Sequence, residues 1–169
     1  FEDADLDSAA NAQVSGIFAA TGQSCVAGSR LLVQASVKDA FLAKLKTKAE
    51  AITIAAPDLM TTEVGPLCTQ RQRDRISAMV AQSQAEGARL ITGGQVPDGA
   101  GFYYPPTILD CSDAPQAVAV QQEFFGPVLS VVSFDTEEQA LALANDTVYG
   151  LASGVFTRSL TRAHRMIRG

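Results

Sequence analysis

A regular alternation of short apolar runs with amphipathic segments constrains the fold of this 169-residue chain more than any other feature. The longest apolar run is Val128–Phe134, and a shorter one, Leu31–Val33, lies near the start. Runs that are apolar on both faces and separated by helices are typical of parallel strands covered on both sides. The sequence therefore predicts an α/β fold, a three-layer sandwich with a mainly parallel, twisted sheet and helices on both faces.

The predicted helices follow from capping residues and from apolar residues at helical spacing. Ser36 with Asp39, Thr69 with Gln72 and Thr136 with Gln139 each have the spacing of a capping box at a helix start. The expected helix starts are Asp3 or Asp5, Ser36, Thr69, Asp113, Thr136 and Ser159.

Further strands are predicted at Leu90–Ile91, Tyr103–Leu109 and Val155–Phe156. Pro105-Pro106 places the second of these at a sheet edge or interrupts it, because proline cannot donate a ladder hydrogen bond. The chain shows no repeat and no linker, and its length suits a single domain over residues 1–169.

Charge and composition limit the classes of partner. The net charge is −5 and the basic residues are scattered, which argues against nucleic-acid binding. The densest basic group, Arg71, Arg73 and Arg75, is predicted to be a solvated helix face. No apolar run reaches the roughly 20 residues of a membrane span. The three widely spaced cysteines indicate reduced thiols in a cytoplasmic protein, with no metal site.

Cys25 lies in a loop of small residues directly after the first predicted helix. Such a loop leaves a thiol approachable and can direct backbone N–H groups at an oxyanion, but a free cysteine is more often a small buried hydrophobe. A cysteine–histidine hydrolase is disfavoured, because His164, the only histidine, lies among arginines on a polar helix. The residues alone leave both interpretations of Cys25 open.

Two other residues and three glycines also have simple structural interpretations. Taken singly, Glu123 is better explained as a helix-capping acid and Phe125 as a core aromatic. The remaining positions, Gly22, Gly28 and Gly126, are predicted to serve backbone turns rather than ligand contacts.

Three ordered motifs together are similar to those of the aldehyde dehydrogenase superfamily. Gly22–Arg30 reproduces a Gly-Gln-x-Cys-x-Ala-Gly-Ser-Arg pattern. Glu123–Val128 is similar to Glu-x-Phe-Gly-Pro, and Asn145–Leu151 resembles Asn-x-x-x-Tyr-Gly-Leu. One departure is Gln122, where many members have an acid. The chain is identified by this resemblance as the catalytic-domain portion of such an enzyme.

The resemblance implies oxidation of a small-molecule aldehyde to a carboxylic acid, with NAD or NADP as acceptor, through a cysteine thiohemiacetal and thioester. It makes Cys25 the nucleophile. It implies that Glu123 binds a ribose of the cofactor and that Phe125 packs against the nicotinamide ribose or ring. The residues implied to line the aldehyde pocket are Gln23, Ser24 and Val26.

The resemblance also implies parts beyond residues 1–169. These are a dinucleotide-binding domain, a general-base glutamate in a Glu-Leu-Gly-Gly motif, an oxyanion-hole asparagine and an oligomerisation segment. The isolated chain is therefore expected to be inactive as a dehydrogenase, and the parent enzyme to be a cytoplasmic homodimer or homotetramer. The alternative is a non-catalytic scaffold or binding domain that retains the fold, in which Cys25 would be inert.

Overall fold

Four strands form one sheet in the computed structural model, which describes residues 1–169. The spatial order is β1, β4, β3, β2, and β4 pairs in parallel with both β1 and β3. The edge strand β2 is antiparallel to β3. The predicted α/β class with a mostly parallel sheet is therefore confirmed. The strands are β1 (Arg30–Gln34), β2 (Arg89–Thr92), β3 (Thr107–Asp110) and β4 (Val128–Phe134).

Six α-helices accompany the sheet, with short 3₁₀ turns at Ala19–Gly22 and Ala35–Val37. Four of the predicted helix starts are confirmed, since each cap side chain accepts a backbone N–H: these are Asp5, Thr69, Thr136 and Ser159. No helix has both the length and the apolar character needed to cross a membrane. The helices are α1 (Leu6–Phe18), α2 (Lys38–Glu50), α3 (Gln70–Ala85), α4 (Val118–Gln121), α5 (Glu137–Asn145) and α6 (Leu160–Arg168).

The position of β4 inside the sheet explains why its sequence is apolar except at Ser130 and Ser133. Successive side chains of a strand point to opposite faces of the sheet. Leu129 and Val131 enter the core formed with α1 and α2, whereas Val128 and Val132 enter the core formed with α3 and α4. The sheet is thus covered on both faces, as the three-layer prediction requires.

Two predicted helix starts are wrong. The second helix begins at Lys38 without a side-chain cap, because the 3₁₀ turn Ala35–Val37 precedes it, and the Ser36 hydroxyl instead donates to the Glu2 carboxylate at 2.8 Å. The helix expected from Asp113 begins only at Val118. Turns of the i to i+3 type occupy the intervening residues, which include Pro115.

Two strand predictions also need correction. Pairing within Tyr103–Leu109 starts only at Thr107, so both prolines lie just before β3. The strand β3 itself is an interior strand and not an edge strand. Val155–Phe156 forms no strand. The backbone that follows it is satisfied by a side chain rather than by a neighbouring strand, since the Asp3 carboxylate accepts from the Arg158 N–H at 3.2 Å.

Candidate active site

The first two motifs form two loops that meet at the amino-terminal ends of two neighbouring strands. The cysteine loop, Gly22–Gly28, leads into β1, and the acidic loop, Glu123–Pro127, leads into the neighbouring parallel strand β4. Gly22 has φ +65°, and a Cβ at this position would collide with the carbonyl oxygen of Gly126. Only glycine permits this approach, so the two loops contact each other backbone to backbone.

Gly126 and Gly28 are small for reasons that differ from the predicted turn role. Neither has a positive φ. A Cβ on Gly126 would collide with the side chain of Ile76 in α3, whereas a Cβ on Gly28 would lie 3.4 Å from Nε2 of Gln13 in α1. Close packing explains Gly126, and of the three glycines only Gly22 has the left-handed turn conformation.

Cys25 lies at the tip of a tight turn in the cysteine loop. The Ala27 N–H donates to the Ser24 carbonyl at 3.1 Å, which leaves Cys25 and Val26 as the two central residues. The Cys25 side chain is exposed, and its backbone N–H donates no hydrogen bond within the chain. The interpretation of Cys25 as a buried small hydrophobe is therefore wrong, and both thiol and N–H are free to meet a ligand.

The other two thiols have different environments. Cys111 is buried at the end of β3, and burial raises the pKa of its thiol to about 12. Cys68 is exposed like Cys25. No disulfide joins the three cysteines, and no cluster of metal-ligand side chains occurs. His164 is exposed on α6, as predicted for a solvated histidine. Exposure alone thus excludes Cys111 as a nucleophile but does not separate Cys25 from Cys68.

Of the predicted pocket residues, Gln23 differs from the other two. Both ends of its amide are occupied within the protein, because Nε2 bonds to the Thr21 hydroxyl and Oε1 accepts from the Cys68 N–H at 3.2 Å. Gln23 therefore braces the loop. Ser24 is half-buried and the Val26 side chain is 61% exposed in the same turn as the thiol. Contact of these residues with an aldehyde stays a prediction.

Backbone strain is concentrated in and just before these two loops. Ala20, Thr21 and Phe125 are the three non-glycine residues with positive φ, at 50°, 56° and 52°. Such conformations cost about 1–3 kcal/mol each and cluster at functional sites. Two of the three directly precede the cysteine loop and the third lies in the acidic loop, so the strain is consistent with a site at their junction.

Side chains of helix α3 hold the acidic loop through the backbone carbonyl oxygens of the loop. Arg75 donates to the carbonyl oxygens of Glu123 at 2.9 Å and of Phe124 at 3.0 Å. Gln72 Nε2 donates to Phe124 and Phe125 carbonyl oxygens at 2.8 and 2.9 Å. Because these bonds use only backbone oxygens, the exposed Glu123 carboxylate and the 40% exposed Phe125 ring remain available to a ligand.

The predicted solvated face of α3 is confirmed for Arg71 and Arg75, which are exposed, and is wrong for Arg73, which is half-buried. Besides the Arg75 bonds to the acidic loop, Arg73 donates to the Gly101 carbonyl oxygen at 3.2 Å. The Arg71 side chain makes no hydrogen bond within the chain. Sequence reasoning missed Gln72 and Arg75 because their acceptors are distant backbone carbonyls. Their i, i+3 spacing on one helix face was the one available signal.

The third motif follows α5 and is linked to the first. Arg30, the last residue of the first motif, donates to the carbonyl oxygens of Leu143 at 2.8 Å and Ala144 at 3.4 Å. Cationic side chains are favourable at a helix C-terminus. Beyond this contact, Val148 and Tyr149 are exposed. The structure thus ties the start of β1 to the start of the third motif.

Comparison with known proteins places all three motifs in one family. A model of the aldehyde dehydrogenase family matches residues 1–169. The chain belongs to this family. Its curated relatives include (Z)-2-((N-methylformamido)methylene)-5-hydroxybutyrolactone dehydrogenase of Acinetobacter baylyi, 61% identical over 99% of this chain, and betaine aldehyde dehydrogenase of Sinorhizobium fredii, 46% identical over 99%.

Solved structures agree with the family assignment. The crystal structure of PnpE in complex with nicotinamide adenine dinucleotide superposes with a TM-score of 0.95 at 40% identity over 99% of this chain. The chain spans only about a third of these proteins, 34% and 35% of the two curated relatives and 35% of PnpE.

Proposed function

We propose that residues 1–169 are the cysteine-bearing catalytic domain of an NAD- or NADP-dependent aldehyde dehydrogenase, with Cys25 as nucleophile. One observation carries the proposal. The cysteine loop, which exposes the Cys25 thiol, packs at its first residue, Gly22, directly on Gly126 of the loop that exposes Glu123 and Phe125. The nucleophile and the loop that binds the cofactor must lie side by side, because hydride has to pass from the substrate carbon on the nucleophile to the nicotinamide of the cofactor.

The first chemical step belongs to Cys25. Its thiolate sulfur forms a bond to the aldehyde carbon, and the carbonyl electron pair moves to oxygen to give a thiohemiacetal oxyanion. The unpaired backbone N–H of Cys25 can donate to that oxygen as one half of an oxyanion hole. The turn geometry therefore supports attack and charge stabilisation by the same residue.

The residues of the acidic loop fit a dinucleotide. Bound NAD or NADP would supply the acceptor for the hydride that leaves when the C–H bond of the thiohemiacetal breaks and its oxyanion becomes the carbonyl of the Cys25 thioester. The exposed Glu123 carboxylate can accept from two ribose hydroxyls, and the Phe125 ring offers an apolar surface. Gln122, just before this loop, leaves one negative charge fewer beside the cofactor than an acid at that position would.

The cycle closes by hydrolysis of the Cys25 thioester. Water adds to the acyl carbon, the carbon–sulfur bond breaks, and the carboxylic acid and the thiolate are released. A thiolate suits this sequence because it is both a strong nucleophile and an acceptable leaving group. The water would be activated by a glutamate outside residues 1–169, as the family resemblance implies.

We propose a small aldehyde as the substrate class; one relative is named for betaine aldehyde and another for a substituted 5-hydroxybutyrolactone. We assign the aldehyde contacts within this chain to Ser24 and Val26, with Gln23 as their support. Val26 is the most exposed of the three and shares the central part of the turn with Cys25. The assembled enzyme would be a cytoplasmic homodimer or homotetramer.

The test compares Cys25→Ala with Cys68→Ala in the full-length protein that contains this chain. Cys25→Ala should lower aldehyde-dependent NADH formation by about 1,000-fold or more, because the covalent route is lost. Cys68→Ala is the matched control, since Cys68 is equally exposed and contributes only its backbone N–H to the loop. Loss of activity in the control alone would refute the assignment.

Two further outcomes separate the competing hypotheses. The isolated chain should form no NADH, and strong turnover by residues 1–169 alone would contradict the proposed division of the site. A full-length protein that folds but oxidises no aldehyde in a panel of betaine aldehyde and simple aliphatic and aromatic aldehydes would favour the non-catalytic scaffold.

A further inference from the structure

One face of helix α1 contacts both ends of the cysteine loop. Gln13, Gly16 and Ile17 have i, i+3, i+4 spacing and therefore share that face. The Gly16 carbonyl oxygen accepts from the Gly28 N–H at 3.1 Å, and Gln13 Nε2 donates to the Gly28 carbonyl oxygen at 2.6 Å. At the other end, a Cβ on Gly22 would lie 2.9 Å from the Ile17 carbonyl oxygen.

The two bonds to Gly28 differ in their dependence on sequence. The Gly16 bond joins two backbone groups and survives any side-chain change, whereas the carbonyl of Gly28 is fixed by the Gln13 side chain alone. The next carbonyl, that of Ser29, accepts from the Ser130 N–H at 2.9 Å and from its hydroxyl at 3.1 Å. The chain is thus anchored to β4 from Ser29 onward. In the peptide just before that anchor, the Ser29 N–H donates to the Ala27 carbonyl oxygen at 2.8 Å, and Gln13 holds the carbonyl side.

We infer that Gln13 is a positioning residue for Cys25, acting through the Gly28 carbonyl to fix the turn that carries the thiol. The inference rests on the proposed function. Gln13 does not touch the reacting atoms. Without its donor, the Gly28 carbonyl oxygen loses its partner, so the peptide that closes the loop can shift and the thiol loses its alignment with the aldehyde and the hydride acceptor. The acidic loop is unaffected, because Gln72 and Arg75 hold it from α3.

The experiment uses the full-length enzyme with Gln13→Met, which keeps the side-chain length and removes the donor. The matched control is Asn11→Met, since Asn11 is exposed on the same helix and its side chain makes no hydrogen bond. Gln13→Met should lower kcat by about 10- to 100-fold, the cost of a misplaced reacting group. KM for NAD should stay within about twofold of the wild-type value, since the acidic loop that binds the cofactor is unchanged.

Iodoacetamide labelling distinguishes positioning from unfolding. In Gln13→Met, Cys25 should still react at about its original rate because the thiol remains exposed, and the buried Cys111 should stay protected. An unchanged kcat, a KM for NAD that rises in proportion to the fall in kcat, or labelling of Cys111 would each overturn the positioning role. Absence of dehydrogenase activity in the wild type would instead refute the proposed function.

Discussion

The two ends of the parallel strands differ in how their polar groups are satisfied. Where β1 and β4 begin, the thiol of Cys25 and its N–H are unpaired and exposed, and the neighbouring backbone is strained. Where β3 ends, the Asp110 carboxylate is buried and accepts from Lys38 at 3.2 Å, from Arg89 at 2.9 Å and from the Ser112 hydroxyl at 2.6 Å.

The difference separates stability from chemistry along one set of strands. Buried charge is tolerated when it is paired and fully hydrogen-bonded, and removal of one member of such a network destabilises the fold. Open α/β sheets commonly bind ligands at the carboxyl ends of their strands. In this chain that end carries the satisfied Asp110 network, and the proposed site lies at the amino ends, on the loops that lead into β1 and β4.

Removal of Asp110 should produce the largest loss of stability. Asp110→Ala leaves Lys38, the Ser112 hydroxyl and the Ser112 N–H without their shared acceptor and should lower the free energy of unfolding by about 2–3 kcal/mol. Asp7→Ala breaks the exposed Lys44 pair and should cost less than about 1 kcal/mol. Urea titration of both variants gives the comparison, and equal losses would show that the Asp110 network contributes no more than a surface pair.

Gly22→Ala should damage the other end of the strands. The new Cβ meets the Gly126 carbonyl oxygen and forces the two loops apart. We expect a loss of about 1–3 kcal/mol in unfolding free energy and of about 100-fold in kcat/KM. Gly16→Ala is the control, because a Cβ there meets nothing within 4 Å. This substitution should raise the free energy of unfolding by about 0.5–1 kcal/mol, since alanine favours a helix over glycine. Retention of full activity by Gly22→Ala would break the claim that loop contact matters.

Local rules predicted much of the fold and failed at particular places. Asp5, Thr69, Thr136 and Ser159 cap helices because a side-chain oxygen and an N–H two or three residues on decide the outcome. Ser36 failed because its hydroxyl bonds to a residue far away in the sequence. A capping pattern cannot reveal such a tertiary competitor.

The candidate site divides in the same way. Cys25, Glu123 and Phe125 could be found because a motif marks them, although each had a simpler interpretation when taken singly. Gln13 and Gln72 could not be found, since they act on backbone carbonyls that any sequence presents. Only the three-dimensional approach of their helices to the loops gives these side chains a role.

The stability of the chain should fall in acid because of Asp110. Burial raises the pKa of its carboxyl, but the hydrogen bonds from Ser112 and Arg89 outweigh burial and lower that pKa from 3.8 to about 2. The contribution of the carboxylate is therefore fully present above about pH 4 and is lost as pH falls towards 2. Urea titrations across this range should show a smaller acid-dependent loss in Asp110→Asn, and identical profiles would contradict the assignment.

The smallest predicted effect concerns strain before the cysteine loop. Ala20 has φ 50° and ψ 33°, so Ala20→Gly should raise the free energy of unfolding by about 0.5–1 kcal/mol. Ala12→Gly, in the interior of α1, should lower it by about the same amount. Thermal unfolding of the pair gives opposite signs if the left-handed conformation is strained. A loss in both variants would indicate that Ala20 carries no strain.

Competitive alkylation tests the central claim, that Cys25 is the nucleophile, most directly. The full-length protein is treated with limiting iodoacetamide, and labelling at each cysteine is read by mass spectrometry over time. Cys25 and Cys68 are both exposed, so accessibility is matched, and the buried Cys111 reports on folding. The account predicts that Cys25 reacts fastest, Cys68 more slowly and Cys111 not at all. Labelling of Cys25 no faster than Cys68 would contradict it.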